Sequence, residues 1–340
     1  LCLTQIQFPP DKIDLYRKGA IAAYEDYVKQ YPQGSLAAKA LLQVATLYTV
    51  MKDVPKAQAA FEKLSKEYPN SDEAKNSVPL LAKSLIDLGL RGEGVAKYRE
   101  MFAAGGKYTE MQFMGAGQAL EEAREYDLAL QAYDKVLATA KDVALIAPAK
   151  LGRARSLVGQ KKFAEARKLL TEFTKDKEFS KLMVVVDANK LLVEVASEEG
   201  KTEKNDEIRK ELFNTAVDAI KMCQAYVKDE VEKRELDLAA GRVLVRKMEA
   251  EKKLGLAEQA KETRGKAIVQ FKVMIATINP GNVGLANVLE KAYYSCLPLM
   301  LEHGVFDQAV EDCETYLRIF PNGSHTTEVK TWLNQAKIGK

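Results

Sequence analysis

The sequence predicts an all-α fold, a linear stack of antiparallel helical hairpins closed by a C-terminal capping helix. Three observations carry this expectation. The first is an internal repeat. Residues 57–69, AQAAFEKLSKEYP, overlay residues 20–32, AIAAYEDYVKQYP, with Ala57 on Ala20, Phe61 on Tyr24 and Pro69 on Pro32, a shift of 37 (57 minus 20). Residues 309–321, AVEDCETYLRIFP, repeat the frame near the end. A fixed period of a few tens of residues marks units that bury their apolar faces on their neighbours. The second observation is length. At 340 residues the chain exceeds the roughly 250–300 at which a single core stops growing, so it forms two globular domains or one array. The third is composition. With 47% hydrophobic and 29% charged residues, dominated by helix formers, and only 10 prolines and 20 glycines, the chain lacks the turns of a many-stranded β protein.

The elements follow in order. Each second helix just described is preceded by a first helix with its own apolar stripe. Leu41, Val44, Ala45 and Tyr48 precede Ala57 and Phe61. Val78, Leu81, Ala82 and Leu85 precede Gly94 and Tyr98 in a weaker copy. Phe113, Ala116, Gly117 and Leu120 precede Ala129 and Tyr133, and Ala154 and Leu157 precede Ala166 and Leu170. Near the end Tyr293, Cys296, Leu297 and Met300 precede Ala309 and Cys313. Small residues let two antiparallel helices approach, and the aromatic one turn on fills the gap between them. Proline ends each second helix, since it lacks an amide donor and clashes in a helix interior. The turns beginning at Pro32, Pro69 and Pro321 then offer Ser35, Ser71, Asp72 or Ser324 as caps for the next helix. Residues 326–337 read as the capping helix, with Trp332 and Leu333 covering the last hairpin. Between about 178 and 280 the register weakens and helices such as 203–228 and 230–254 look stretched. The expected division is therefore an N-terminal array at 1–177, longer divergent hairpins of the same stack at 178–280, and a final hairpin plus cap at 281–340.

This pattern of small residues, plugging aromatics and closing prolines resembles the tetratricopeptide repeat (TPR), whose period of about 34 is close to the shift seen here. The resemblance implies a TPR-like α-solenoid that acts as a non-catalytic protein–protein interaction scaffold. Tyr31-Pro32 followed by alanines to Ala38, and Tyr68-Pro69 followed by Ala74, are similar to the bacterial cell-envelope subset of these repeats, that of the outer-membrane-assembly lipoprotein and the Tol-Pal coordinator. That likeness implies a periplasmic or outer-membrane-associated location, with peripheral envelope association. The alternatives are a cytoplasmic TPR adaptor or regulator and, behind it, an α-helical enzyme acting on envelope glycans.

Composition narrows the chemistry. A net charge of +3 with lysines interleaved among glutamates gives no basic run, so no nucleic-acid partner is expected. No stretch approaches the roughly 20 apolar residues of a transmembrane helix. Four cysteines, Cys2, Cys223, Cys296 and Cys313, form no CxxC pair, and Cys296 and Cys313 read as small buried hydrophobes, with a disulfide open to an oxidising compartment. Cys2 stands where an acylated cysteine would, but Leu1 before it is not the small residue a lipobox carries, so no anchor is expected. The two histidines, His303 before Gly304 and His325 in a turn, have no partners at metal-ligand spacing. No nucleophile, metal or phosphate motif occurs, and Gly115-Ala116-Gly117 lacks the strand and third glycine of a dinucleotide site. No catalytic residue, cofactor or metal is expected.

In a curved stack the first helix of each hairpin lines the inner face. Projecting the pattern places Lys39, Leu42, Gln43 and Thr46 there, then Asn76, Leu80 and Lys83, then Met111, Met114 and Gln118, and finally Leu151 and Arg155. The lysine–asparagine clamp that some family members use for C-terminal carboxylates is replaced by Leu42, Thr46 and Leu80. The expected partner is a protein or peptide, with leucines and flexible methionines meeting an apolar segment. The competing expectation is that several of these residues face neighbouring repeats as core.

Overall fold

The computed structural model describes residues 12–104, 108–179 and 182–339, and among them every regular element is a helix. Cys2 lies outside the described residues. The chain divides into two compact units, Leu1–Gln160 and Lys161–Lys340. Unit 1 holds α1 (Ile13–Gln30), α2 (Ala37–Val50), α3 (Val54–Glu67), the single turn α4 (Asp72–Lys75), α5 (Ser77–Asp87), α6 (Arg91–Ala103), α7 (Glu110–Glu122), α8 (Tyr126–Thr139) and α9 (Val143–Gly159). Unit 2 holds α10 (Phe163–Lys175), α11 (Val184–Thr202), α12 (Asp206–Gln224), α13 (Glu230–Lys253), α14 (Ala257–Thr277), α15 (Ala286–His303), α16 (Phe306–Ile319) and α17 (Thr326–Ile338). Within each unit, helices consecutive in sequence pack as hairpins, among them α2 on α3, α5 on α6 and α7 on α8, then α11 on α12, α13 on α14 and α15 on α16. This is a TPR-like α-solenoid.

One turn geometry builds most hairpins. Lys52, Gly89, Arg124, Gly255 and Gly304 all adopt a left-handed φ of 59–85° just after a first helix. The next amide folds back five residues: Asp53 N to Tyr48 O (2.9 Å), Leu90 N to Leu85 O (2.8 Å), Glu125 N to Leu120 O (2.8 Å), Leu256 N to Glu251 O (2.9 Å) and Val305 N to Met300 O (3.1 Å). This αL ending satisfies the free carbonyls of the helix and reverses the chain in three residues. The caps differ in part from expectation. Ser71 accepts from Ala74 N (3.0 Å) as predicted, and Thr109 forms a capping box with Gln112. Leu36 and His325, not Ser35 and Ser324, occupy the cap positions of α2 and α17 and make no side-chain cap. Ser324 instead bonds Glu290, because its turn is pulled onto α15.

The core confirms the small-residue and aromatic pairing. Phe61, Tyr98 and Tyr133 are buried, and a Cβ on Gly117 would sit 2.7 Å from the Tyr133 ring. The same device continues where the sequence register fades: a Cβ on Gly200 would meet Phe213 at 2.8 Å, and one on Gly241 would meet Phe271 at 2.3 Å. The stretched region is a run of hairpins, with α11 to α14 spanning 19, 19, 24 and 21 residues. The α11–α12 turn is built differently, with Glu203 extended and Asn205 capping Glu207 N and Ile208 N.

Cys223, Cys296 and Cys313 are buried free thiols. Burial pushes Cys296 and Cys313 up to about 12 and Cys223 to about 11. Helix α17 packs on α16 and α15 through buried Val329 and Ala336, and Trp332 and Leu333 join the same cluster from the margin.

Candidate partner-binding face

In unit 1 the first helices of successive hairpins touch one another, α5 with α7 and α7 with α9. Direct contact between alternate helices brings their free flanks into one surface, and the twelve expected groove residues distribute across it unevenly. On α2, Lys39 and Thr46 are exposed while Leu42 and Gln43 are half-buried, and Thr46 Oγ1 donates to the Leu42 carbonyl (2.9 Å). At the α4–α5 junction, half-buried Asn76 donates to Asp72 O (2.8 Å) and accepts from Gln112 Nε2 of α7 (2.7 Å). On α5, Leu80 is 40% exposed, and exposed Lys83 pairs with Asp87 (3.0 Å). On α7, Met111 is 65% exposed and Gln118 is exposed.

Met114 and Leu151 are corrections to the expected lining. Both are buried, at 6% and 5% exposure, and Met114 belongs to the cluster formed by α5 to α9. Their flanks face the neighbouring first helices, and side chains between touching helices have no route to solvent. The competing expectation of core packing holds for these two.

Arg155 on α9 is tied down. Its Nε donates to Glu121 Oε1 (2.6 Å), and Tyr133 Oη donates to Glu121 Oε2 (2.8 Å). Burial, then the adjacent Glu121 carboxylate, push the Tyr133 hydroxyl well above its usual range. Burial works to lower the Arg155 guanidinium, but the Glu121 bond outweighs it and holds the group above its ordinary value. Glu121 therefore clasps α7, α8 and α9 in one charge-assisted junction. The signal for it was present: Glu121 and Arg155 lie 34 residues apart, one repeat. Gln112 and Asn76, 36 apart, and Arg91 and Glu125, 34 apart, follow the same rule.

Two cavities open elsewhere on unit 1. One of about 340 Å³ lies between α3, α5 and α6, with Phe61, Ser65, Ser77 and Lys97 in its wall. The other, of about 610 Å³, lies between α1, α2 and α3, with Val28, Leu41, Tyr48 and Lys63 in its wall. None of the twelve residues lines either. Among the described residues no three His, Cys, Asp or Glu side chains gather to hold a metal, and no helix is long and apolar enough to cross a membrane.

The tetratricopeptide-repeat family profile matches residues 39–71, the stretch from α2 through α3 into the following turn. No curated protein matches the sequence. Among solved structures, the C-terminal part of a TPR repeat-containing protein from Cytophaga hutchinsonii is 13% identical, with 81% of this chain and 97% of that chain covered and a TM-score of 0.50. A tetratricopeptide repeat protein from Parabacteroides merdae is 14% identical over 83% of this chain and 94% of its own, with a TM-score of 0.41. The TPR2AB domain of yeast Sti1, solved as a complex with pHSP90, is 14% identical over 89% and 100%, with a TM-score of 0.33. At such identities a likeness speaks for the fold alone.

Proposed function

We propose that this chain is a non-catalytic scaffold that holds a protein or peptide partner against the first-helix face of unit 1, in the bacterial cell envelope. The observation that carries the first part is the exposure of Leu80 and Met111 on neighbouring helices, flanked by the polar Lys39, Thr46, Lys83 and Gln118. Large apolar side chains rimmed by polar ones are the anatomy of an interaction patch. The envelope location is supported by the Tyr-Pro turns at 31–32 and 68–69, whose repeats are similar to those of envelope proteins.

A photo-crosslinking residue at position 111, in cells fractionated into cytoplasm and envelope, tests both parts. The expected result is a crosslinked protein in the envelope fraction that is lost in the Leu80→Glu, Met111→Glu double variant, with helicity and melting unchanged. A drop of roughly tenfold or more in capture corresponds to about 1.4 kcal/mol. Equal crosslinking in the double variant removes this face from the function. A partner confined to the cytoplasmic fraction removes the envelope location and leaves the scaffold.

A further inference from the structure

The arginines of unit 2 mostly have carboxylate partners: Arg167 is held by Glu199, Arg234 by Glu230 and Arg264 by Glu302. Arg242 and Arg246 are the exception on α13. They stand one helical turn apart, Arg242 exposed and Arg246 half-buried, and neither makes an ion pair or a side-chain hydrogen bond among the described residues. Residues four apart share a helix face, so their like charges repel. The one acidic residue within four positions of either on α13 is Glu249, three past Arg246, and no ion pair joins the two among the described residues. Partial burial, and then the Arg246 charge, push the Arg242 guanidinium below its ordinary value. Breaks in local consistency gather at functional sites, and a carboxylate from outside the chain would relieve this pair.

We propose that Arg242 and Arg246 receive two carboxylates from an acidic segment of a protein partner. Guanidinium is weakly hydrated and presents a planar fork of donors that matches a carboxylate two-to-two. Spacing narrows the ligand further. Four residues of helix rise about 6 Å, which is close to the roughly 6.6 Å between alternate residues of an extended strand. The geometry therefore selects an extended peptide with Asp or Glu at every second position. This inference rests on the protein-binding reading proposed above, but it uses a different helix, so the arginine site and the unit 1 face can fail separately.

The test is fluorescence anisotropy of the whole chain with a labelled peptide of alternating Glu and Ser, against the same peptide with Gln for Glu. The expected result is binding of the Glu peptide alone, weakened when salt rises from about 0.05 to about 0.3 M as the charges are screened. Arg242→Gln with Arg246→Gln is expected to lower affinity at least tenfold, while Lys253→Gln at the end of the same helix leaves it unchanged. Melting of the arginine variant is expected to match or exceed the parent, because the repulsion is gone, which separates lost binding from lost folding. Equal binding of the Gln peptide, unchanged affinity in the arginine double variant, or an equal loss in Lys253→Gln overturns the proposal. So does displacement of the peptide by inorganic polyphosphate at the same charge concentration, which would make this a general polyanion patch. If the arginine variant keeps its Glu-peptide affinity while Leu80→Glu with Met111→Glu loses its crosslink, the inference fails and the scaffold survives. The reverse pattern keeps the arginine receptor and removes the unit 1 face.

Discussion

Tyr133 lies between two glycines from neighbouring first helices, Gly117 of α7 and Gly152 of α9, whose hypothetical Cβ atoms would stand 2.7 and 2.3 Å from its ring. The ring is stiff and fully buried, so it cannot retreat. Gly152→Ala is expected to destabilise by about 1–3 kcal/mol, read from denaturant unfolding. Gly115, exposed on the same helix as Gly117 with nothing near its missing Cβ, is the control, and Gly115→Ala is expected to stabilise by about 0.5–1 kcal/mol. Equal effects at the two positions would show that helix propensity, not the ring, decides. Glu290 gives the pH counterpart. It accepts from Tyr316 Oη (2.9 Å), Ser324 N (2.8 Å) and Ser324 Oγ (2.9 Å). Burial works to raise its carboxyl, but these donors and the nearby His325 outweigh it and hold the group below the ordinary value of 4.5. A depressed carboxyl contributes stability above its unfolded value and loses it as pH falls through the folded one. Glu290→Ala is therefore expected to cost about 1–3 kcal/mol near pH 7 and progressively less once pH drops below 4.5, checked by melts across that range.

At the scale of elements, the hairpin turn is the recurring unit, and it tolerates the wrong residue. Arg124 occupies the left-handed position with φ 60° that Gly89, Gly255 and Gly304 occupy elsewhere, and its side chain is exposed. L-residues pay roughly 1–2 kcal/mol in that conformation, partly offset by the extra freedom glycine has when unfolded. Arg124→Gly is expected to raise stability by about 0.5–1 kcal/mol in denaturant titrations, and a loss would mean that Arg124 makes a contact worth more than the strain. The Tyr-Pro turns also acquire a structural role at this scale. Tyr68 Oη donates to the Pro32 carbonyl (3.0 Å), so the tyrosine of one turn fastens the proline of the turn one repeat earlier. The Tyr-Pro signature is, in this molecule, a clasp between hairpins.

At the scale of the molecule, each unit carries its own buried clusters, and polar pairs about one repeat apart tie neighbouring hairpins within each: Arg155 to Glu121 in unit 1, Arg167 to Glu199 and Lys272 to Asp312 in unit 2. Stacks of this kind are stabilised by nearest-neighbour contacts, so interior hairpins open last and end helices fray. Amide exchange is expected to be slowest in α7 and α8 of unit 1 and markedly faster in α17 of unit 2, and equal protection throughout would indicate a single cooperative block. The thiols report the same opening. With Cys296 and Cys313 pushed up to about 12 and Cys223 to about 11, all three are protonated and buried at neutral pH. A thiol reagent is expected to reach them only on unfolding.

The sequence by itself determined the helical class, the hairpin period and the identity of the plugs Phe61, Tyr98 and Tyr133, because small and aromatic residues recur at a helix's own spacing and need no distant partner to be recognised. It also determined the capping helix, whose turn repeats an internal one. It lost the frame between 178 and 280, where longer helices move Phe213 and Phe271 away from the expected offset and an asparagine-capped turn replaces the left-handed one at Asn205. Only the tertiary structure decided which flank of each first helix meets its neighbour. Only about 60° around the helix separates exposed Met111 from buried Met114, three residues on, and helix periodicity is too coarse to resolve that angle. Only the tertiary structure, likewise, decided which charges find partners. Glu121 and Arg155 meet and Arg242 and Arg246 do not, because pairing depends on how helices distant in sequence are packed side by side.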